Sequence, residues 1–348
     1  MSSNLLEDYT GIAWVSTKGA VLLGKAFAVD GHADRPVRVV THIHTDHIIG
    51  LRESILFCDL IIATPATHDM LAEIGYRVPE EKRLSLSYHS PLIFSGETLT
   101  LIPSRHIPGS AQVLVEANEY RVGYTSDFKL PGTPIMRDLD VLVIESTYGK
   151  PEWRRPFKDE VEQLLVDAVV SGLGHGPVVI YGYYGKLQEV MEILRAHGIA
   201  APFIMPQRVY KLTRIAVKHG MNIYDYHYER SREAEEIIKE GYYVYFAHMN
   251  SHTRRYSSIT HISTKIILSG WEFDSPIKKI DENTWLIAFS DHADFDDLIK
   301  YIDESRPRLL IVDSFRDGAS KELAKYVRER LGINTLIAPG DGVPLHTL

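Results

Sequence analysis

The stretch that most constrains this chain is VRVVTHIHTDHIIG, residues 37–50, where a β-branched apolar run leads directly into His42, His44, Asp46 and His47. Valine-rich runs of this kind form strands, so these four ligand-type side chains fall at a strand end. In an extended segment alternate residues point the same way, which lets His42 and His44 address one metal ion. Asp46 and His47, past the turn, can address a second. A lone histidine here would read as a solvent-exposed loop residue, but four ligand types within six positions argue for a site.

Composition narrows the chemistry. The chain has 348 residues, 45% of them hydrophobic, enough for one large core or two domains and unlike a disordered protein. A single cysteine, Cys58, excludes an intrachain disulfide framework and any multi-cysteine metal site, so metal ligands must be histidines and carboxylates. The segment from Met1 to Thr10 lacks the basic and apolar regions of a secretion signal. No apolar run reaches the ~18 residues of a membrane-spanning helix. A cytoplasmic enzyme with no membrane partner is therefore expected. The net charge of −8 speaks mildly against a protein that coats nucleic acid, although a local basic groove is compatible with it.

Between Val37 and Asp127 the chain reads as short β-rich runs with polar tips: VRVVTHIH, DLIIAT, TLTLIPSRH, QVLVE and YRVGYTSD. VLVIESTYG, residues 141–149, is another. After Pro151 the texture changes to alternating helices and strands, with FKDEVEQLLVDAVVSG and GKLQEVMEILRAHG as helices around the strand PVVIYGY. Such alternation predicts a parallel α/β subdomain. TWLIAFSDHADFDDLIKYI and RLLIVDSFRDGASKELAKYV then return to strand, polar tip and helix. These patterns predict one α/β domain of residues 1–153 and 268–348, interrupted by an inserted α/β domain of residues 154–267.

Two later strand tips carry further candidates, His106 in SRHIPGSAQ and Asp127 in YTSDFK. Each alone could be a turn residue. Together with the first cluster they complete a site: His42, His44 and His106 on one zinc, Asp46 and His47 on the other, and Asp127 between them. Two metals about 3.5–4 Å apart can share a hydroxide nucleophile and stabilise the oxygens of an in-line displacement at phosphorus.

HIHTDH, His106 and Asp127 resemble the successive motifs of the metallo-β-lactamase superfamily. The resemblance implies an αββα sandwich, with the insertion as a β-CASP domain, and two Zn2+ ions, the second site weaker or filled by another divalent metal. Asp30 in FAVDG resembles the superfamily's first aspartate, which orients a histidine ligand; a turn aspartate before Gly31 is the ordinary alternative. Glu145 in ESTYG and His292 in FSDHADF resemble two motifs of the β-CASP nuclease branch. In that branch such a histidine meets the scissile phosphate and acts as general acid, and a nearby carboxylate can keep it protonated. Glu145 as a cap and His292 as a first-turn helix residue are the alternatives. Asp46, His292 and Glu145 are thereby implied as catalytic residues. Many RNA-processing relatives have a metal-ligating histidine where this chain has Asp313, and aspartate can replace it as a ligand. YGYYGKLQEV resembles a β-CASP segment in which glycine and a cation open a helix, which makes Lys186 a candidate phosphate contact and Tyr183 and Tyr184 candidates for base stacking or for packing.

IPGSAQVLVE, ESTYGKPEWRRP, YGKLQEV, LSGW and FSDHADFDDL are most similar to short prokaryotic members described as DNA-ligase-associated exonucleases or mRNA 3′-end processing factors. The implied activity is a zinc-dependent nuclease, with a DNA exonuclease favoured and an RNA-processing exo- or endoribonuclease as the alternative. A small-molecule metallohydrolase such as a lactonase or thioesterase would not need the insertion, and a noncatalytic nucleic-acid binder would not need the ligands. A homodimer, or association with DNA- or RNA-processing factors, stays open. His32, His68, His248, His252 and His261 read as ordinary residues.

Overall fold

The computed structural model describes residues 3–251, 264–316 and 318–340; His252 and His261 lie outside the described residues. Contacts divide the chain into two compact units, residues 1–154 with 292–348, and residues 155–291.

The first unit is built on two sheets. One follows chain order: Ala13–Val15, Val21–Leu23 and Phe27–Val29 pair antiparallel, and Val37–Val39, Leu60–Ala63 and Arg83–Ser85 then add in parallel. In the other, Pro91–Phe94, Glu97–Pro103, Ala111–Ala117 and Tyr120–Tyr124 form an antiparallel meander. Val141–Ile144, Leu309–Asp313 and Thr335–Ala338 extend that meander in parallel.

The period of two along these strands decides which face each residue serves. Val141, Val143, Leu309 and Ile311 share one buried cluster with Val21, Leu23, Phe27, Val29, Val37 and Val39 of the first sheet, so the two sheets pack face to face. Their chain neighbours Leu142, Ile144, Leu310 and Val312 join Phe295, Leu298 and Ile302 of the helix Phe295–Ser305, and Leu323 of the helix Ser320–Tyr326. On the outer face of the first sheet, Arg38 reaches the Oγ of Ser54 in the helix Leu51–Phe57. The layering is helix, sheet, sheet, helix. Asp294 caps the helix Phe295–Ser305 by accepting the Asp297 N–H at 2.9 Å, which fixes where the polar segment before it ends.

The second unit is a parallel α/β sheet in the order Tyr226–Tyr228, Phe203–Met205, Val244–His248, Val178–Gly182, Thr264–Leu268, Thr284–Ile287, with Ile277–Lys279 antiparallel at one edge. Val178 and Ile180 face the helices Val161–Leu173, Lys186–Ala196 and Gln207–Lys218, whereas Val179 and Tyr181 face the helix Arg232–Glu240. Fully buried on both faces, the central strand Val178–Gly182 is apolar throughout, as a parallel strand between helices must be.

The return to the first unit falls at 291/292 and not at 267/268, where sequence texture put it. Thr284–Ile287 pairs in parallel with Thr264–Leu268, so the segment up to Asp291 extends the second unit's sheet. The polar tip LSGW marks a strand end inside that sheet, and a domain junction has the same local signature. Among the described residues no helix is long and apolar enough to cross a membrane.

Ile311 lies in the core between the two sheets with no exposed surface. Ile311→Ala should destabilise the first unit by about 2–5 kcal/mol, read from denaturant unfolding of wild type and variant in parallel.

Candidate metal centre

The strand Val37–Val39 leads to His44, itself in extended backbone, and a short 3-10 turn, Thr45–His47, follows. That change of direction splits the histidine motif. His42, His44, His106 and Asp127 bring one ligand atom each into a common group, and Asp46, His47 and Asp127 make a second, with all atoms of a group within 4.8 Å of one another. Asp127 belongs to both.

The spacings match a coordination polyhedron better than a hydrogen-bond network. Two donors on a tetrahedral zinc, each about 2.0–2.1 Å from the ion, stand about 3.3 Å apart. Here His44 Nδ1 and His106 Nε2 are 3.1 Å apart, and the Nε2 atoms of His42 and His106 each lie 3.5 Å from Asp127 Oδ2. His47 Nε2 is 3.2 Å from Asp127 Oδ2 and 3.4 Å from Asp46 Oδ2. Nε2 of His42 and of His47 are both buried without a hydrogen-bond partner. Two imidazole nitrogens that converge on one carboxylate without hydrogen-bond geometry to it present donors that a shared divalent cation would satisfy together. Nitrogen and oxygen donors without thiolate suit zinc or another borderline divalent ion.

The opposite ring nitrogens are held from behind. Asp30, fully buried, accepts the Thr41 N–H at 2.9 Å on Oδ1, and the Thr41 hydroxyl at 2.6 Å and His47 Nδ1 at 2.7 Å on Oδ2. His42 Nδ1 lies 3.1 Å from the Thr41 hydroxyl, which is itself 2.8 Å from the Ser126 hydroxyl. Arg38 donates to the His47 carbonyl at 3.0 Å and pins the turn. Such partners fix the tautomer and orientation of ligating imidazoles.

Burial and charge separate neighbouring groups. Burial, with the charge of His47 beside it, pushes His42 down to about 4, so His42 is neutral and ready to ligate. Burial also opposes charge on His47, but Asp127, Asp46 and Asp30 outweigh it and raise His47 well above its ordinary value. Asp127 stays well below the usual carboxylate range because His47 and His292 overcome the cost of burial.

Glu145 follows the strand Val141–Ile144. It accepts the Phe128 N–H at 2.9 Å on one oxygen and faces His292 Nδ1 at 3.2 Å with the other. Burial raises the Glu145 pKa, with His292 opposing. Asp127, Glu145 and His292 form a further group of ligand-type atoms, and the His292 ring lies 4.8 Å from that of His106. His292 keeps 18% of its side chain exposed.

Two expected site residues do not join these groups. Asp313 accepts the Phe315 N–H at 2.9 Å with Oδ1 and pairs with Arg316 at 2.6 Å through Oδ2, and among the described residues no ligand group includes it. Lys186 is not an exposed lysine: it is buried, 3.0 Å from Asp291. Tyr183 is half exposed, and Tyr184 lies against His248 at 4.3 Å. His32, His68 and His248 enter no ligand group among the described residues. Arg38, Thr41, Ser126 and Arg316 escaped sequence reading. The one available signal was Arg38 itself, a charge inside an apolar strand run.

No family model matches the chain. An uncharacterised protein in the lig 3′ region of Acidianus ambivalens is 48% identical over 141 residues, 40% of this chain and all of that protein. A probable DNA ligase of Opitutus terrae is 26% identical over 322 residues, covering 87% of this chain but 29% of the ligase. The RNase aCSPSF2 of Saccharolobus solfataricus is 24% identical across 87% of this chain and 73% of its own length. A solved protein of unknown function from Enterococcus faecalis V583 shares the fold, with a TM-score of 0.64 at 12% identity over 95% of this chain and 97% of that one.

Zinc uptake by metal-free protein should release protons, because His47 enters as imidazolium and must be neutral to ligate. Affinity should weaken as pH falls below the raised value of His47, where a proton competes with the metal for its imidazole. Calorimetry in two buffers of unlike ionisation enthalpy measures this, and uptake without proton release would contradict a cationic His47.

Proposed function

This chain belongs to the β-CASP nuclease branch of the metallo-β-lactamase superfamily, and on that premise we propose that it is a two-zinc nuclease cutting phosphodiester bonds of DNA. In this reading the helix-sheet-sheet-helix unit is the metallo-β-lactamase sandwich and the parallel α/β unit its β-CASP insertion. The observation that carries the proposal is the paired ligand group meeting at Asp127, with donors spaced as on a metal.

His42, His44, His106 and Asp127 would hold one zinc, and Asp46, His47 and Asp127 the other. Bound zinc supplies Lewis-acid charge to phosphoryl oxygens and acidifies water. The chain's own residues do the rest. Asp127 would serve both positions, and Asp30 holds the His47 ring through Nδ1. Glu145 faces Nδ1 of His292 at 3.2 Å, which supports a reading in which Nε2 would deliver a proton to the leaving oxygen. The 18% exposure of His292 leaves a path for that oxygen to reach it.

DNA is favoured because the chain matches a region of a probable DNA ligase over 87% of its own length, and a protein in a lig 3′ region at 48% identity. The match to the RNase aCSPSF2 over the same share of this chain supports RNA as the second reading.

End-labelled single-stranded and duplex DNA and RNA, offered with and without chelator, should show zinc-dependent shortening of DNA from one end. RNA cleaved far faster than DNA would move the assignment to the second reading, and chelator-insensitive cleavage would remove the metal. Asp127→Ala should abolish hydrolysis and lower zinc content. His292→Ala should slow cleavage by about 10²–10⁴-fold with bound zinc retained, and loss of zinc would make His292 a ligand.

A further inference from the structure

We propose that Arg316, held by Asp313, is a positioning residue for the second metal position: it ties down the Asp30 loop and through Asp30 fixes the ring of His47. The inference rests on the two-zinc reading above and concerns which residues set the affinity of the second ion.

Asp313 stands where a metal ligand is expected, yet both of its oxygens are taken by its own strand tip, one by the Phe315 N–H and one by the Arg316 guanidinium. The two side chains are buried, with 1% and 7% of their surfaces exposed. The other arm of the guanidinium donates to the backbone carbonyls of Gly19 at 3.2 Å and Asp30 at 3.4 Å. These two segments lie so close that a Cβ on Gly31 would be 2.3 Å from the Ala20 nitrogen. Phe315, next to Arg316, packs its ring on Gly19, where a Cβ would come equally near. A planar fork of several donors can join two carbonyls and a carboxylate at once; a lysine cannot.

Asp30 needs such a tie. It is a non-glycine residue at φ +56, a backbone conformation that persists only when its surroundings impose it. In that conformation one carboxylate receives Thr41 and His47 together. With Nδ1 so held, His47 Nε2 sits 3.4 and 3.2 Å from the carboxylates of Asp46 and Asp127. The second ion thus depends on a buried ion pair behind its histidine, not on a ligand from Asp313.

Metal-free wild type and variants are titrated with zinc against a chromophoric chelator, which reads stoichiometry and both affinities without reference to activity. Arg316→Met and Asp313→Asn should each weaken the second zinc by about 10–100-fold and leave the first within about threefold. Their combination should be no worse than either alone, because both act through one tie. An unpaired buried charge endangers folding, so the apolar pair Asp313→Leu/Arg316→Met, which buries no lone charge, is measured beside them and should show the same loss. Wild-type affinity for both ions in Arg316→Met or in the apolar pair overturns the inference. Loss of the second zinc in Asp313→Asn with retention in Arg316→Met overturns it too, by making Asp313 a ligand. Wild-type protein that takes up no zinc overturns the two-zinc reading, and this inference with it.

Discussion

The site depends on one buried carboxylate. Asp127 Oδ2 lies 3.2–3.5 Å from the Nε2 atoms of His42, His47 and His106 and belongs both to the group that holds His42 and to the group that holds His47. An anion this deep in protein is stable only with compensating positive charge and hydrogen bonds. Among the side chains that charge comes chiefly from His47, and His292 adds to it. A divalent cation would satisfy Asp127 and the two orphaned imidazole nitrogens together, which is why the arrangement reads as a metal centre and not as a structural ion pair.

Everything around Asp127 keeps these few atoms in register. The strand ends that deliver His42, Asp127 and Glu145 come from two sheets sharing one core, so the spacing between them is set by side chains such as Val39, Tyr124 and Val143. Behind the ligands lies a layer of polar side chains: Asp30 with Thr41, Ser126 with Thr41, and Arg38 on the His47 carbonyl. Through these contacts each of these side chains restrains a ligand or the turn that carries one. Asp30 and Ser126 adopt positive φ angles, of 56° and 52°, and local strain at such positions is usual where a backbone is bent to serve a site.

Two departures from expectation have one physical origin. Asp313 and Lys186 have the chemistry of site residues and stand at an element's end, as their sequence neighbourhoods imply. What a charged side chain does there is decided by the nearest opposite charge, which lies three residues away for Asp313, in Arg316, and more than a hundred away for Lys186, in Asp291. The junction at 291/292 is a similar case, because the pairing of Thr284–Ile287 with Thr264–Leu268 is a tertiary event without a local mark.

The sequence by itself determined the chemistry on offer: imidazoles and carboxylates without thiolates, gathered at strand tips, with one α/β texture interrupting another. Those features are local, since strand formation follows β-branched runs and ligand clustering is visible within a few positions. Tertiary structure alone decided which candidates meet. It joined His42 to His106 and Asp127 across 64 and 85 positions, put Asp30 behind His47, and turned Asp313 away towards Arg316. These outcomes follow from long-range sheet packing and from the need of every buried charge for a partner, and neither leaves a periodic signal in the chain.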